Sequence, residues 1–267
     1  MGIIDWLKGE RVLYYPGCLT KGVLKEEFEN YKEIFNRLGI DFVMLSDEES
    51  CCGLPVLNAG YRKDARKLAV RNLKLFRAKG IDKIVTNCPS CLHMFNDVYP
   101  KLVREWDILA EHATVVILRG LKKKGITWKS VVGSGLSEEV VAYHDPCHLG
   151  RYSGIYDEPR EVIEMLGGRI VESRFSREGA LCCGGGGGVR ANFERLAKGV
   201  ARERVASLVG SRKSASNRHD PVCPEVGSEV GKIISPCGLC YANLKSASDK
   251  SVEFSSFVLG KLRGMRK

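Results

Sequence analysis

"KIVTNCPSC", residues 83–91, sets two thiols three positions apart directly after a short apolar run, and "KIISPCGLC", residues 232–240, repeats the arrangement. A brief apolar run of this kind predicts a buried strand, which leaves each CxxC pair at a strand's carboxyl end. Two further blocks recur in the same order. "YYPGC" (14–18) matches "YHDPC" (143–147), and "SCCGLP" from Ser50 matches "LCCGGG" from Leu181. Three blocks repeated in order at a period of about half the chain indicate two copies of one domain rather than a solenoid.

Between the blocks, strands alternate with helices. The first half predicts strands at 11–15, 40–45 and 82–86. It also predicts helices over 24–39 and 62–80, the second with Ala65, Leu68, Ala69, Leu73 and Phe76 on one face. Gly39 and Gly80 stop them. The second half predicts strands at 140–144, 169–173 and 232–235, with helices near 160–166 and over 190–208. Residues 99–127 read as a helical connection whose counterpart is 255–264. The expected fold is α/β, in two pseudo-repeated domains, 1–127 and 128–267, each with a short parallel sheet. Ligands of open parallel sheets lie beyond the carboxyl ends of the strands. Cys18, Cys51, Cys52, Cys88 and Cys91 are therefore expected on one rim, and Cys147, Cys182, Cys183, Cys237 and Cys240 on the equivalent one.

A chain of 267 residues with 44% hydrophobic content builds a core without disulfide staples. It has eleven cysteines, no signal-peptide pattern and no apolar run approaching the ~18 residues of a membrane span. These features predict a cytoplasmic protein, without a membrane span, whose thiols serve metal or redox chemistry. The formal charge of +10 falls to about +4 if ten thiolates hold two iron–sulfur cores. Basicity is then a weak argument for nucleic acid. The basic side of the 62–79 helix (Arg62, Lys63, Arg66, Lys67, Arg71, Lys74 and Arg77) also lacks the interleaved aromatics of a base-stacking surface. It reads as a solvated face, or as a docking face for an acidic electron carrier.

The two spacings are C-x32-CCG-x34-CxxC and C-x34-CCG-x52-CxxC. Structural zinc takes four ligands, usually from two short pairs ~15–20 residues apart, whereas these CxxC pairs are about 145 residues apart. One half could use four of its five thiols for a structural zinc, and a non-catalytic scaffold with zinc in one or both halves is the rival reading. Soft thiolates suit iron–sulfur clusters better, and an ordinary cubane takes four of them. A fifth thiol makes sense if the doublet supplies two sulfurs to one cluster that is not an ordinary cube. Gly184 to Gly188 would let the backbone turn sharply and approach sulfide. A dinucleotide-loop reading fails because no acidic residue about 20 positions on sits at the end of a following strand, and because the doublet precedes the loop. His144 and His148 flank Cys147 as candidate proton donors or hydrogen-bond donors to sulfur, and His93 follows the first CxxC; purely structural duty is the alternative for each. The 211–225 segment, with Cys223, reads as a flexible surface loop without a counterpart in the first half.

These motifs resemble the cysteine-rich CCG-domain proteins, which carry CxnCCGxmCxxC twice, over nearly the whole chain from about Arg11 to Lys261. "HDPCHLGRYSGIYDEPREV" followed by "CCGGGGGVRANF" is similar to the catalytic subunit of heterodisulfide reductase and related iron–sulfur oxidoreductases. The resemblance implies two noncubane [4Fe–4S] clusters, one per group of five cysteines, facing a cavity where a small-molecule disulfide is split. It equally covers electron-relay subunits of anaerobic glycerol-3-phosphate, lactate and glycolate oxidation systems. No C-x2-C-x2-C-x3-C-P run is present, so a ferredoxin-like or other iron–sulfur partner is expected to deliver electrons.

Overall fold

A computed structural model of the chain describes residues 9–45, 48–210 and 230–265. The Cys223 loop expected at 211–225 lies outside the described residues.

The first half runs β1 (Val12–Tyr14), α1 (Cys18–Gly22), α2 (Lys25–Leu38), α3 (Leu54–Asn58), α4 (Arg62–Ala78), β2 (Lys83–Thr86) and α5 (Pro89–His93). A π-helical turn (Met94–Val98) leads to α6 (Tyr99–Leu102), β3 (Leu109–His112) and α7 (Ala113–Lys123). The second half runs α8 (Trp128–Gly133), β4 (Glu139–Tyr143), α9 (Asp157–Met165), β5 (Gly168–Ile170), α10 (Val189–Asn192) and α11 (Glu194–Leu208). It closes with β6 (Lys232–Ser235), α12 (Gly238–Lys245), β7 (Ser251–Glu253) and α13 (Phe254–Gly264).

Both sheets are parallel throughout, in the orders β1-β2-β3 and β5-β4-β6-β7. Val43 bridges Leu13 on the free side of β1, in the place that β5 takes beside β4, so the two orders coincide. The strand expected at 40–45 is thus reduced to one bridge. Only Val43 completes the ladder, donating to the Val12 carbonyl at 2.8 Å and accepting from the Tyr14 N–H at 2.9 Å. The expected 99–127 helical connection is corrected as well, because it contains β3, and the stretch before its counterpart contains β7. Each of these strands runs without a break into a helix, and its last residue caps that helix. His112 accepts from the Thr114 N–H and Glu253 from the Ser255 N–H. The single helix expected over 190–208 divides at Phe193 (φ −138°, ψ 60°), which stands between α10 and α11.

Strand side chains alternate between two cores, as a two-residue period requires. Tyr14, Val141 and Tyr143 face a core shared by both halves, with Phe35, Ile117, Ile163, Phe254 and Phe257. Leu13 and Tyr15 face a separate core under α4, and Ala142 faces one with Leu208 and Leu244. The shared core exists because each half's last helix crosses to the other half: α7 packs on α9, and α13 on α2. Tyr31 of α2 seals this junction by donating to buried Glu253 at 2.9 Å.

Burial pushes the Glu253 carboxyl up to about 7. The folded state therefore holds a proton that the unfolded chain releases near its ordinary value, so this stability is present at low pH and is lost as pH rises through 7. Between pH 6 and 8 the loss is about 1.4 kcal/mol. Melting at the two pH values is expected to show a lower Tm at pH 8, and Glu253→Gln to flatten that difference.

Candidate metal centre

All ten described cysteines are free thiols, and they gather in the two groups expected. Cys88 and Cys237 follow β2 and β6 directly and stand at the N-termini of α5 and α12, which return Cys91 and Cys240 one turn later. Cys18 and Cys147 follow β1 and β4 through short turns. Gly17 shapes the first turn with φ +76°, and a Cβ there would lie 3.1 Å from that of Cys88 and 3.3 Å from the Cys91 sulfur. The doublets arrive on longer loops, 51–52 after the Val43 bridge and 182–183 after β5.

Within each group the sulfurs form an unbroken chain of contacts. Cys51 is held far below the usual thiol range by hydrogen bonds from Cys18 and Cys52, and Cys182 by those from Cys147 and Cys183. Cys18 and Cys147 are pushed up in turn because each gives its proton to that thiolate, with burial adding to the rise. The chain continues from Cys52 to Cys91 and Cys88, and from Cys183 to Cys240 and Cys237. Cys183 and Cys240 lie 3.2 Å apart. Five mutually contending sulfurs form a soft donor set that a multiply charged metal core can strip of protons.

Backbone N–H groups point at the same sulfurs: Gly53 at Cys51 (3.4 Å), Gly184 at Cys182 (3.3 Å) and Gly185 at Cys183 (3.4 Å). The glycine run is demanded most sharply at its first two positions. Gly184 has φ +80°, and a Cβ would come within 2.8 Å of the Val200 side chain and 3.0 Å of the Ala197 carbonyl; at Gly185 it would meet the Leu239 carbonyl at 2.9 Å. The next three glycines line a cavity of about 590 Å³. Cys18, Cys52, Cys88 and Cys91 from one half and Cys147, Cys182, Cys183, Cys237 and Cys240 from the other open onto it, together with His148. Its apolar walls come from Leu19, Leu54, Pro55 and Leu239.

The three histidines expected near the sulfurs have different settings. His148 lies half-buried at the cavity, its Nδ1 3.5 Å from the Cys147 sulfur, its ring stacked on Tyr152 and 5.8 Å from that of His93. Burial, reinforced by His93, lowers its pKa. His93 pairs through Nδ1 with Asp97 at 3.0 Å. His144 is buried behind the cavity, and a ring nitrogen lies within 4.8 Å of the Cys183 and Cys240 sulfurs. Its Nδ1 accepts from Arg204 Nε at 3.0 Å. Arg204 was not among the sequence candidates. The available signal was its position on the otherwise apolar α11 stripe of Ala197, Ala201 and Leu208, all buried.

Two five-thiol sets on paired parallel sheets define a thiolate metal-binding protein of the iron–sulfur class. Cysteine-rich domain (CCG) matches fall at residues 12–96 and 141–245, and the chain belongs to that family. It is 33% identical over 219 residues to one subunit of the dihydromethanophenazine:CoB–CoM heterodisulfide reductase from Methanosarcina acetivorans, covering 79% of this chain and 52% of that protein. It is 30% identical over 178 residues to the EtfAB:quinone oxidoreductase of Syntrophomonas wolfei, covering 66% and 24%. It is 25% identical over 244 residues to one subunit of the CoM/CoB fumarate reductase of Methanothermobacter marburgensis, covering 91% and 43%. The chain spans about half the length of the heterodisulfide reductase polypeptides it matches. These relatives are oxidoreductases or their subunits, which supports a redox role. Among the described residues no helix is long and apolar enough to cross a membrane.

Proposed function

We propose that the chain is an iron–sulfur oxidoreductase unit that holds one cluster on each five-cysteine set and reduces a small-molecule disulfide in the cavity between them. Cys18, Cys51, Cys52, Cys88 and Cys91 are the ligands of one set, and Cys147, Cys182, Cys183, Cys237 and Cys240 those of the other. The two sets coincide with two repeat units, 1–127 and 128–267. The observation that carries the reading is that sulfurs of both sets open onto one cavity beside a histidine. Five thiolates per set exceed what zinc or a cubane uses, in keeping with a noncubane [4Fe–4S] centre. When bound, such a centre supplies single electrons at a soft iron–sulfur surface.

The chain's own residues would do the rest. The apolar walls exclude water and seat the disulfide between the sets. The net change is cleavage of one S–S bond with two electrons and two protons, giving two thiols. His148 would deliver a proton to a leaving thiolate from its place at the cavity, and His93 with Asp97 would return one from the partly exposed side. Electrons would come from a ferredoxin-like or other iron–sulfur partner, in a reducing cytoplasm that keeps the thiols available. Similarity to the EtfAB:quinone oxidoreductase favours a second reading, in which the same centres relay electrons onward without splitting a disulfide.

His148→Ala, assembled with its full iron content, is expected to reduce disulfides roughly a hundredfold more slowly or worse with reduced viologen as donor. An unchanged rate would remove His148 from the chemistry. A wild-type chain that passes electrons but reduces no disulfide would favour the relay.

A further inference from the structure

The two sulfur sets are backed by different side chains at equivalent positions. A Cβ on Gly53 would meet Leu68 and the Ala65 carbonyl, and one on Gly184 would meet Val200 and the Ala197 carbonyl. Ala65 and Ala197 are therefore equivalent, and seven residues on, Asn72 in α4 corresponds to Arg204 in α11. The repeated blocks likewise pair Tyr15 with His144. All four residues are buried.

Behind the first set both residues are neutral and fully satisfied. Tyr15 donates to the Ser50 carbonyl at 2.6 Å; Asn72 accepts from the Ser50 N–H and donates to the Cys51 carbonyl and Tyr99. Behind the second set stands a buried cation. Arg204 donates to His144 through Nε, and through Nη1 to the Phe175 carbonyl and Ser207. Its Nη2 has no partner, and neither has His144 Nε2. Because His144 Nδ1 accepts from Arg204, a neutral ring carries its proton on Nε2. The acid closest in sequence to His144, Asp145, is engaged by Arg160, and among the described residues no carboxylate forms an ion pair with Arg204. The negative groups within its electrostatic reach are Asp145 first, then the Cys240 and Cys183 sulfurs, and last Glu172. Both carboxylates are already ion-paired to Arg160. Burying a guanidinium without an ion pair of its own is costly unless another anion compensates it, and a thiolate-ligated centre would add that compensation.

We infer that the His144–Arg204 pair is a positioning device that raises the reduction potential of the second-half centre above that of the first. A buried positive charge and N–H donors toward sulfur both favour the more negative, reduced state. The first electron from an iron–sulfur donor accordingly rests in the second half, and the next in the first. The inference depends on the proposed function in requiring a centre on each set.

The test is an anaerobic redox titration of the whole chain, loaded with iron and sulfide and followed by electron paramagnetic resonance. Two midpoint potentials are expected. Arg204→Met lowers only the upper one, by at least tenfold in the reduction equilibrium constant, about 59 mV for a one-electron couple, and Arg204→Lys recovers part of that shift. A Cys88→Ser, Cys91→Ser chain, stripped of the first centre, keeps the upper potential; this assigns it to the second half independently of whether Arg204→Met folds. The inference is overturned if Arg204→Met retains its iron with both potentials unmoved, or if the upper potential disappears with the first centre. A wild-type chain that takes up no iron defeats the proposed function itself.

Discussion

Arg160→Ala is expected to lower folding stability by roughly 3–5 kcal/mol, the usual effect of stripping one partner from a buried ion pair, and to lower Tm by about 10 °C. Arg160 grips Asp145 with both terminal nitrogens at 2.7 and 2.9 Å, reaches Glu172 through Nε, and donates to the Tyr156 carbonyl. Its guanidinium lies 4.6 Å from the centre of the Tyr143 ring. Asp145 also accepts from the Arg177 N–H at 2.9 Å, so it ties α9, the end of β4 and the approach to the second doublet into one network two residues before Cys147. Removing the arginine leaves a buried carboxylate unpaired beside the second sulfur set. Lysine restores the charge without the two-pronged geometry and should recover only part of the loss. Calorimetric melting measures the effect, and a fall in Tm below about 3 °C would show that the network relaxes around the gap.

Changing the second doublet to serines, Cys182→Ser with Cys183→Ser, is expected to halve the iron content, from about eight to about four per chain. The first centre should persist with its own spectrum. The sulfurs of one set take their largest interactions from within that set, and each set stands on its own sheet. Iron and sulfide analysis of the purified variant checks this. Loss of all the iron would mean that the sets assemble as one unit, and retention of all of it would exclude the doublet as ligands.

The order of the cysteine blocks made the site legible before the fold was known. A CxxC pair directly after a buried strand lies beyond that strand's end, and the repetition of all three cysteine blocks in order grouped the ten sulfurs as five and five. The strands β3 and β7 escaped notice because each is three or four residues long, carries polar residues such as Glu111 and Glu253, and flows into a helix. Their apolar periodicity merges with the helical one. The crossing of α7 onto α9 and α13 onto α2 was hidden for a different reason. An amphipathic stripe shows that a helix face is buried, not which half buries it. Arg204 was passed over although a charge on an apolar stripe is a visible anomaly, because its partner His144 lies sixty residues away in sequence and only the fold joins them.

The most direct test of two thiolate-held clusters is to determine iron, acid-labile sulfide and zinc on anaerobically purified chain, with electron paramagnetic resonance of the oxidised protein with and without added thiols. The account predicts about eight irons and eight sulfides per chain and a signal that changes when thiol is added. Zinc alone, or iron without sulfide, would contradict it.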